Sequence, residues 1–213
     1  MATVRKWANV AVAMESAAAT AITITAISSG ATCTITATNT YTNGDYVKLS
    51  VSGMYQLDGK VVRVASASGS NFVAEGVDST SFSTFASGTA SKLTFGTSIT
   101  TATSMSASGG DFDFIDVTTI HSNVKAQIPG LANPITYTFD NLWDIADAGE
   151  IAMKAATDAQ SQKSFKFTFG TGGPIMVFLG YVGFTGAPGG NAQDKVTSQA
   201  VITAFGTPTY YAS

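Results

Sequence analysis

SFKFTFGTGGPIMVFLGYV, residues 164–182, is the stretch whose reading decides the fold. Phe165, Phe167 and Phe169 recur at every second position, a spacing that sends all three rings to one side of a strand. The FGTGGP segment from Phe169 to Pro174 is glycine-rich, but it has no Lys-Ser/Thr to engage a phosphate and it precedes a second apolar run rather than a helix. It reads as a hairpin turn between strands Ser164–Phe169 and Ile175–Val182. The aromatic stripe is most simply the core of a β-sandwich.

Working outward, the same half of the chain contains strands expected at Asp111–Val117, Val124–Ile128, Ile135–Phe139 and Val196–Phe205. Between them lies one amphipathic segment, DNLWDIADAGEIAMKAATDAQ, residues 140–160. Leu142, Ile145, Ala146, Gly149, Ala152, Met153 and Ala156 recur at three- and four-residue steps, and Asp144, Asp147, Glu150, Lys154 and Asp158 take the other side. The pattern predicts a helix with one packed and one wet face, capped by Asp140 or Asn141 and favoured at its start by Asp144 and Asp147. The first half reads as short strands, Ile22–Ile27, Thr32–Ala37, Tyr46–Val51, Lys60–Ala65 and Asn71–Glu75. Among the turns between them, Asn43-Gly44 and Asp58-Gly59 suit tight hairpins. Together they suggest a small barrel or sandwich. DSTSFSTFASGTASK, residues 78–92, reads as its exit segment, with Phe82 and Phe85 to bury.

Composition narrows the function. Charged residues are 12% of the 213 against 45% hydrophobic, and the net charge is -3, so the basic footprint that holds nucleic-acid phosphates is missing. Cys33, the only cysteine, rules out an intrachain disulfide and in its alternating surroundings reads as a buried thiol. RKWANVAVAMESAAA could imitate a signal peptide, but Asn9 and Glu15 interrupt it, and Val10, Val12 and Met14 alternate as in a strand. No run reaches the length of a membrane span. Chemistry is thin: His121 is the only histidine, Asp111 and Asp113 fall on the opposite strand face from Asp116, and neither a calcium-loop pattern nor a nucleophile elbow is present. The residues point away from an enzyme, a metal site or a cofactor.

DFDFIDVTTIHSNVKAQIPGLANPITYTFDN, then the helix, SFKFTFGTGGPIMVFLGYV and finally VTSQAVITAFGTPTY resemble, in that order, the tail tube (major tail) proteins of long-tailed bacteriophages of the siphophage type. The resemblance covers roughly residues 95 to 213, and the strand from Thr3 to Met14 is expected to join the same module. It implies a mainly β fold, a tail-tube β-sandwich or barrel with one flanking α-helix, plus a small all-β domain. The expected division is 1–23, an N-terminal arm or strand; 24–93, a small decoration domain; and 94–213, the tube domain. With the chain stopping at Ser213, no C-terminal immunoglobulin-like domain is expected.

In such a family, hexameric rings stack into a hollow tail through which DNA is delivered without specific binding. The resemblance assigns the contact with the next ring to the loop Ile120, His121, Ser122, Asn123, Val124, Lys125, Ala126 and Gln127. It assigns arms between subunits to the two ends, Thr3, Arg5 and Trp7 at one and Pro208, Tyr210 and Tyr211 at the other. Further implied partners are a tape-measure protein, a tail terminator and distal tail proteins, with no membrane binding and no cofactor. The implied location is the virion tail, after synthesis in the bacterial host cytoplasm. The competing expectation is a virion or cell-surface module that binds host glycans or another virion protein, supported by Tyr41, Tyr46 and Tyr55.

Overall fold

The computed structural model describes residues 9–212. The chain starts in β1 (Val10–Met14) and passes through β2 (Ala17–Ala18), β3 (Ile22–Ile24), β4 (Ala26–Ile27) and β5 (Cys33–Thr36). It continues in β6 (Tyr46–Ser52), β7 (Val61–Ala65), β8 (Asn71–Ala74), β9 (Ser87–Thr94), β10 (Thr97–Ile99), β11 (Ala102–Ser108) and β12 (Phe112–Asp116). There follow β13 (Gln127–Ala132), β14 (Thr136–Leu142), the helix α1 (Ala148–Asp158), β15 (Gln162–Phe169), β16 (Ile175–Phe184) and β17 (Thr197–Tyr211). The expected mainly β fold with one flanking helix is what forms.

Three sheets result. A curled antiparallel sheet runs β10-β1-β15-β16-β17-β14-β11, a smaller one runs β2-β9-β6-β7-β8-β5-β4 with β3 also on β9, and β12 pairs only with β13. The inner face of the curled sheet is filled by rings: Phe165 and Phe167 are fully buried, Phe178 stacks on both at 5.6 and 5.7 Å, and Tyr137 stacks on Phe178 at 4.8 Å. Each such ring removes enough apolar surface from water to stabilise the fold by roughly 2 kcal/mol. Met153 and Ala156 of α1 close over this core.

The helix departs from its expected start. Asp140 and Asn141 belong to β14, whose pairing with β17 extends to Leu142↔Thr197, and the cap is Asp147, which accepts from the amides of Gly149 and Glu150 at 2.8 and 3.0 Å. Strand pairing therefore outcompetes helical continuation through residue 142, and Leu142 and Ile145, expected in the packed face, are 43% and 75% exposed. Glu150, expected in water, is buried, where its carboxylate accepts from Ser198 Oγ and the Asp144 amide. Gly149 sits where α1 crosses β10: a Cβ there would stand 2.7 Å from the Ser98 carbonyl oxygen.

Residues 87–94 are not an exit segment. They form β9, which pairs with β6 from Tyr46↔Leu93 to Ser52↔Ser87 and with β3 on its other side. Only Ala90 and Leu93 are buried in it, three residues apart and therefore on opposite faces, Ala90 in the core of the smaller sheet and Leu93 in the contact with β16 and β17. The Thr- and Ser-rich β10 and β11 were equally unforeseen. The strand expected at Val124–Ile128 begins at Gln127 and runs on to Ala132, leaving Val124–Ala126 in the loop. Cys33 is fully buried as expected, and burial pushes its thiol pKa up.

The two larger sheets meet through a compact apolar contact. Val177 and Leu179 of β16 and Tyr211 of β17 pack with Val61 and Leu93 of the smaller sheet. The Tyr211 hydroxyl accepts from the Arg63 amide at 2.6 Å, and the Arg63 guanidinium lies 4.5 Å from the centre of the Tyr211 ring.

Two outcomes test this packing. Gly149→Ala gains about 1 kcal/mol by helix propensity alone. Because the new methyl would meet the Ser98 carbonyl and the Ile99 Cα at 3.0 Å, both backbone, thermal melting is expected to show a net loss of stability. Burial also pushes the Tyr137 and Tyr211 hydroxyls up to about 12. The unfolded chain releases these protons near pH 10 while the folded chain retains them, so stability is full below pH 10 and is lost as pH rises towards 12. Denaturant titrations across that window should show the loss, with a shallower slope in Tyr211→Phe.

Candidate functional site

β12 and β13 form a hairpin to which no third strand pairs among the described residues. Phe112 faces Ala132, Phe114 faces Pro129, Ile115 faces Ile128 and Asp116 faces Gln127, with a register shift between Phe112 and Phe114. Its linking loop is closed by local bonds. The Val117 amide donates to the Ala126 carbonyl at 2.9 Å, the Ala126 amide donates to Thr118 Oγ1 at 3.0 Å, and the Ser122 amide donates to the Thr119 carbonyl at 3.0 Å. The Thr118 hydroxyl and amide hold the Asp116 carboxyl below its usual pKa, and Lys125 Nζ adds an ion pair at 3.7 Å.

Water surrounds this hairpin although its side chains are apolar. Ile120 is 96%, Val124 79% and Leu131 88% exposed, and Phe112, Phe114, Ile115 and Ile128 are each at least half exposed. A two-stranded ribbon is marginal by itself, and a cluster of bare apolar side chains on a folded protein marks an interaction surface. Ile120 to Ala126 occupy the loop and Gln127 opens β13, so the eight residues singled out in the sequence share the far end of one hairpin. The strand residues Phe112, Phe114, Ile128 and Leu131 were not singled out. Their signal was available: FDFID carries apolar residues on both faces, which leaves no face suited to water.

The ends of the chain are placed differently. Thr3, Arg5 and Trp7 lie outside the described residues. Pro208 and Tyr211 are buried within β17, and Tyr210 is exposed. Of the tyrosines considered for ligand binding, Tyr41 packs edge-on against Phe72 and Tyr46 against Phe95, while Tyr55 is exposed. Cys33 lies in the core of the smaller sheet and His121 at the tip of the hairpin, so the two are not brought together. Asp113 accepts from Asn133 Nδ2, and among the described residues no group of three or more His, Cys, Asp or Glu could hold a metal.

A second surface lies on the curled sheet. Facing away from its core, Ser104, Asp140 and Gln199 stand in one row and Ser106, Thr138 and Val201 in the next. Ser104 Oγ and Gln199 Nε2 donate to the Asp140 carboxylate at 2.6 and 3.1 Å and lower its pKa. Among the described residues β10 and β11 end the strand order, with no further strand paired to either.

The hairpin, the helix and every strand of the curled sheet except β1 fall within the 52–213 stretch matched by a family model described as phage tail tube protein, TTP. No curated protein matches the chain. With most of its length inside that match, the chain belongs to the phage tail tube protein family and is a structural protein of the virion tail.

Proposed function

We propose that the protein polymerises as hexameric rings stacked into a hollow tail tube through which viral DNA is delivered. The carrying observation is the exposed apolar hairpin, set on a sheet whose two edges are unpaired among the described residues. Free edges extend by pairing with another chain, and a contact that closes after a fixed rotation makes a ring. The hairpin, with Ile120 to Gln127 at its end, supplies the axial contact that need not close and so builds a filament. Residues 24–93 project outward as decoration, and the terminal segments reach neighbouring subunits. Tape-measure, terminator and distal tail proteins complete the assembly after synthesis in the host cytoplasm.

The row of Ser104, Asp140 and Gln199 with Ser106, Thr138 and Val201 is the lumen wall in this reading. The two rows themselves offer hydroxyls, one amide and one carboxylate, and the charge of Lys195, which reaches Asp140, is offset by that carboxylate.

Shortening His121–Lys125 to a two-residue turn is expected to leave the melting temperature within a few degrees of the parent while tubes disappear from negative-stain micrographs. The loop costs the fold little to shorten, whereas every subunit repeats the contact. Tubes formed as readily as by the parent would move the axial contact to the terminal segments. For the lumen, Thr138→Lys with Val201→Lys should leave tubes intact but slow DNA release from virions at least tenfold at low salt, with recovery as salt screens the new charge. Unchanged release would place the wall elsewhere.

A further inference from the structure

Helix α1 crosses β10 closely at Gly149, but beside its last turns lies a cleft of about 290 Å³. One wall is alanine, at 152, 155, 156 and 159, and across from it stand Met14, Glu15 and Lys163. Glu15 is the unusual member. It is only 7% exposed, yet among the described residues it enters no ion pair. Its Oε2 accepts from the Ser164 amide at 3.0 Å. Its Oε1 accepts from no group of the described residues and is not sealed inside the protein, so the cleft is the space it borders.

A carboxylate withdrawn from water needs a cation or several donors to offset its lost hydration, and one neutral amide replaces only part of it. The surroundings deepen the need. Ala155, Ala156 and Ala159 put the C-terminal end of α1 on the cleft, where backbone carbonyls carry partial negative charge, and its last turn has no basic side chain. Lys154, one turn earlier, is held by Asp158 at 2.9 Å. Lys163 lines the cleft but does not pair with Glu15. The walls favour an organic cation over a metal ion: alanine and methionine carbons suit an aliphatic stem, and no group of three or more His, Cys, Asp or Glu stands among the described residues to coordinate a metal.

We propose that the cleft between α1 and the end of β1 binds an organic monocation, a primary ammonium or a guanidinium on a short aliphatic stem, with its charge on Glu15 Oε1 and its stem along the alanines. A charge-assisted hydrogen bond of this kind is about twice as strong as one between neutral groups, so the buried carboxylate gains the partner the chain withholds. Two sources carry the same chemistry, a free amine and a Lys or Arg side chain of another chain. The site stands independently of how subunits join.

The probe is butylguanidinium, titrated at low salt onto the unassembled full chain and followed by saturation-transfer NMR, with butanol as the neutral control. Saturable binding of the cation and not of the alcohol is the expected result. Glu15→Gln, which keeps an acceptor for the Ser164 amide, should weaken binding at least tenfold while the melting temperature stays within a few degrees of the parent. Ala155→Leu fills the cleft from an exposed helix position, leaves Glu15 in place and should lose binding too. A parent that does not bind the cation saturably, or a Glu15→Gln variant that binds it equally, overturns the proposal. Binding that appears only in Lys163→Met overturns it as well, because Lys163 is then the partner Glu15 takes in solution. Repeating the titration on tubes separates the sources: binding kept in tubes identifies a free amine, whereas a cleft closed to the probe in tubes, with tube formation weakened by Glu15→Gln, identifies a side chain of a neighbouring copy. Protein that never forms tubes sinks the assembly reading and leaves the result on the single chain to decide this one.

Discussion

The structure depends on one strand having no wet face over most of its length. Along β16, Met176, Phe178, Val182 and Phe184 point into the core beneath α1, while the alternate residues Val177 and Leu179 point the other way into the contact with the smaller sheet. A slip of one residue against β15 or β17 would exchange the two sets, putting Phe178 where Val177 meets Val61 and leaving the aromatic stack without its centre. Both neighbours hold the register, from Lys163↔Gly180 to Thr168↔Ile175 on one side and through Leu179↔Phe205 on the other. At Gly180 a Cβ would stand 2.8 Å from the Thr203 carbonyl oxygen, so the strand narrows where β17 comes closest.

That rigidity contrasts with the hairpin. β12 and β13 contribute nothing to either core, and their apolar residues are a cost to the isolated chain that only association removes. Among the described residues the strand order of the curled sheet ends at β10, which α1 crosses at Gly149, and at β11. In the proposed assembly the two tasks are separate: the curled sheet folds each subunit, and the hairpin and the edges are left to join them. On that proposal, mutations in the aromatic stack and mutations in the hairpin act on different equilibria, folding in one case and polymerisation in the other.

What the sequence made legible follows from side-chain size. β15 and β6 were readable because Phe, Val and Leu alternate there with Lys, Ser and Thr, and β16 because its apolar run is continuous and follows a glycine-rich turn. β9, β10 and β11 were not, because Ala, Ser, Thr and Gly differ too little in hydrophobicity for period two to emerge, even though Ala90 is as deeply buried as Leu49. The helix start was misplaced by aliasing: Leu142 and Ile145 fit a helical spacing with Gly149 and Ala152, but Leu142 is held in a strand and Ile145 belongs to the turn before the cap. The loop 120–127 was assigned its role by resemblance alone, and the exposed apolar strands below it were not singled out. Periodicity reports where an apolar residue points, but it cannot report that the partner is another molecule.

The smaller sheet is attached in a way that leaves the curled sheet's register alone. The chain leaves after β1 and returns in β10, which pairs directly with β1 from Met14↔Thr97 to Val12↔Ile99. Just beyond, the Ser16 and Ala19 amides donate to the carbonyls of Thr94 and Lys92, so both crossings run as one narrow ribbon continuing into β2 and β9. A single ribbon would act as a hinge. Tyr211 supplies a second attachment from the other end of the chain, with its ring among Val61, Leu93, Val177 and Leu179 and its hydroxyl on the Arg63 amide. Two attachments at separate points fix an orientation that one cannot, so the last strand governs how the smaller sheet is carried although it contributes no strand to it. Insertion within one hairpin also means that the inserted sheet can lengthen or change its surface without shifting any pair among β15, β16 and β17.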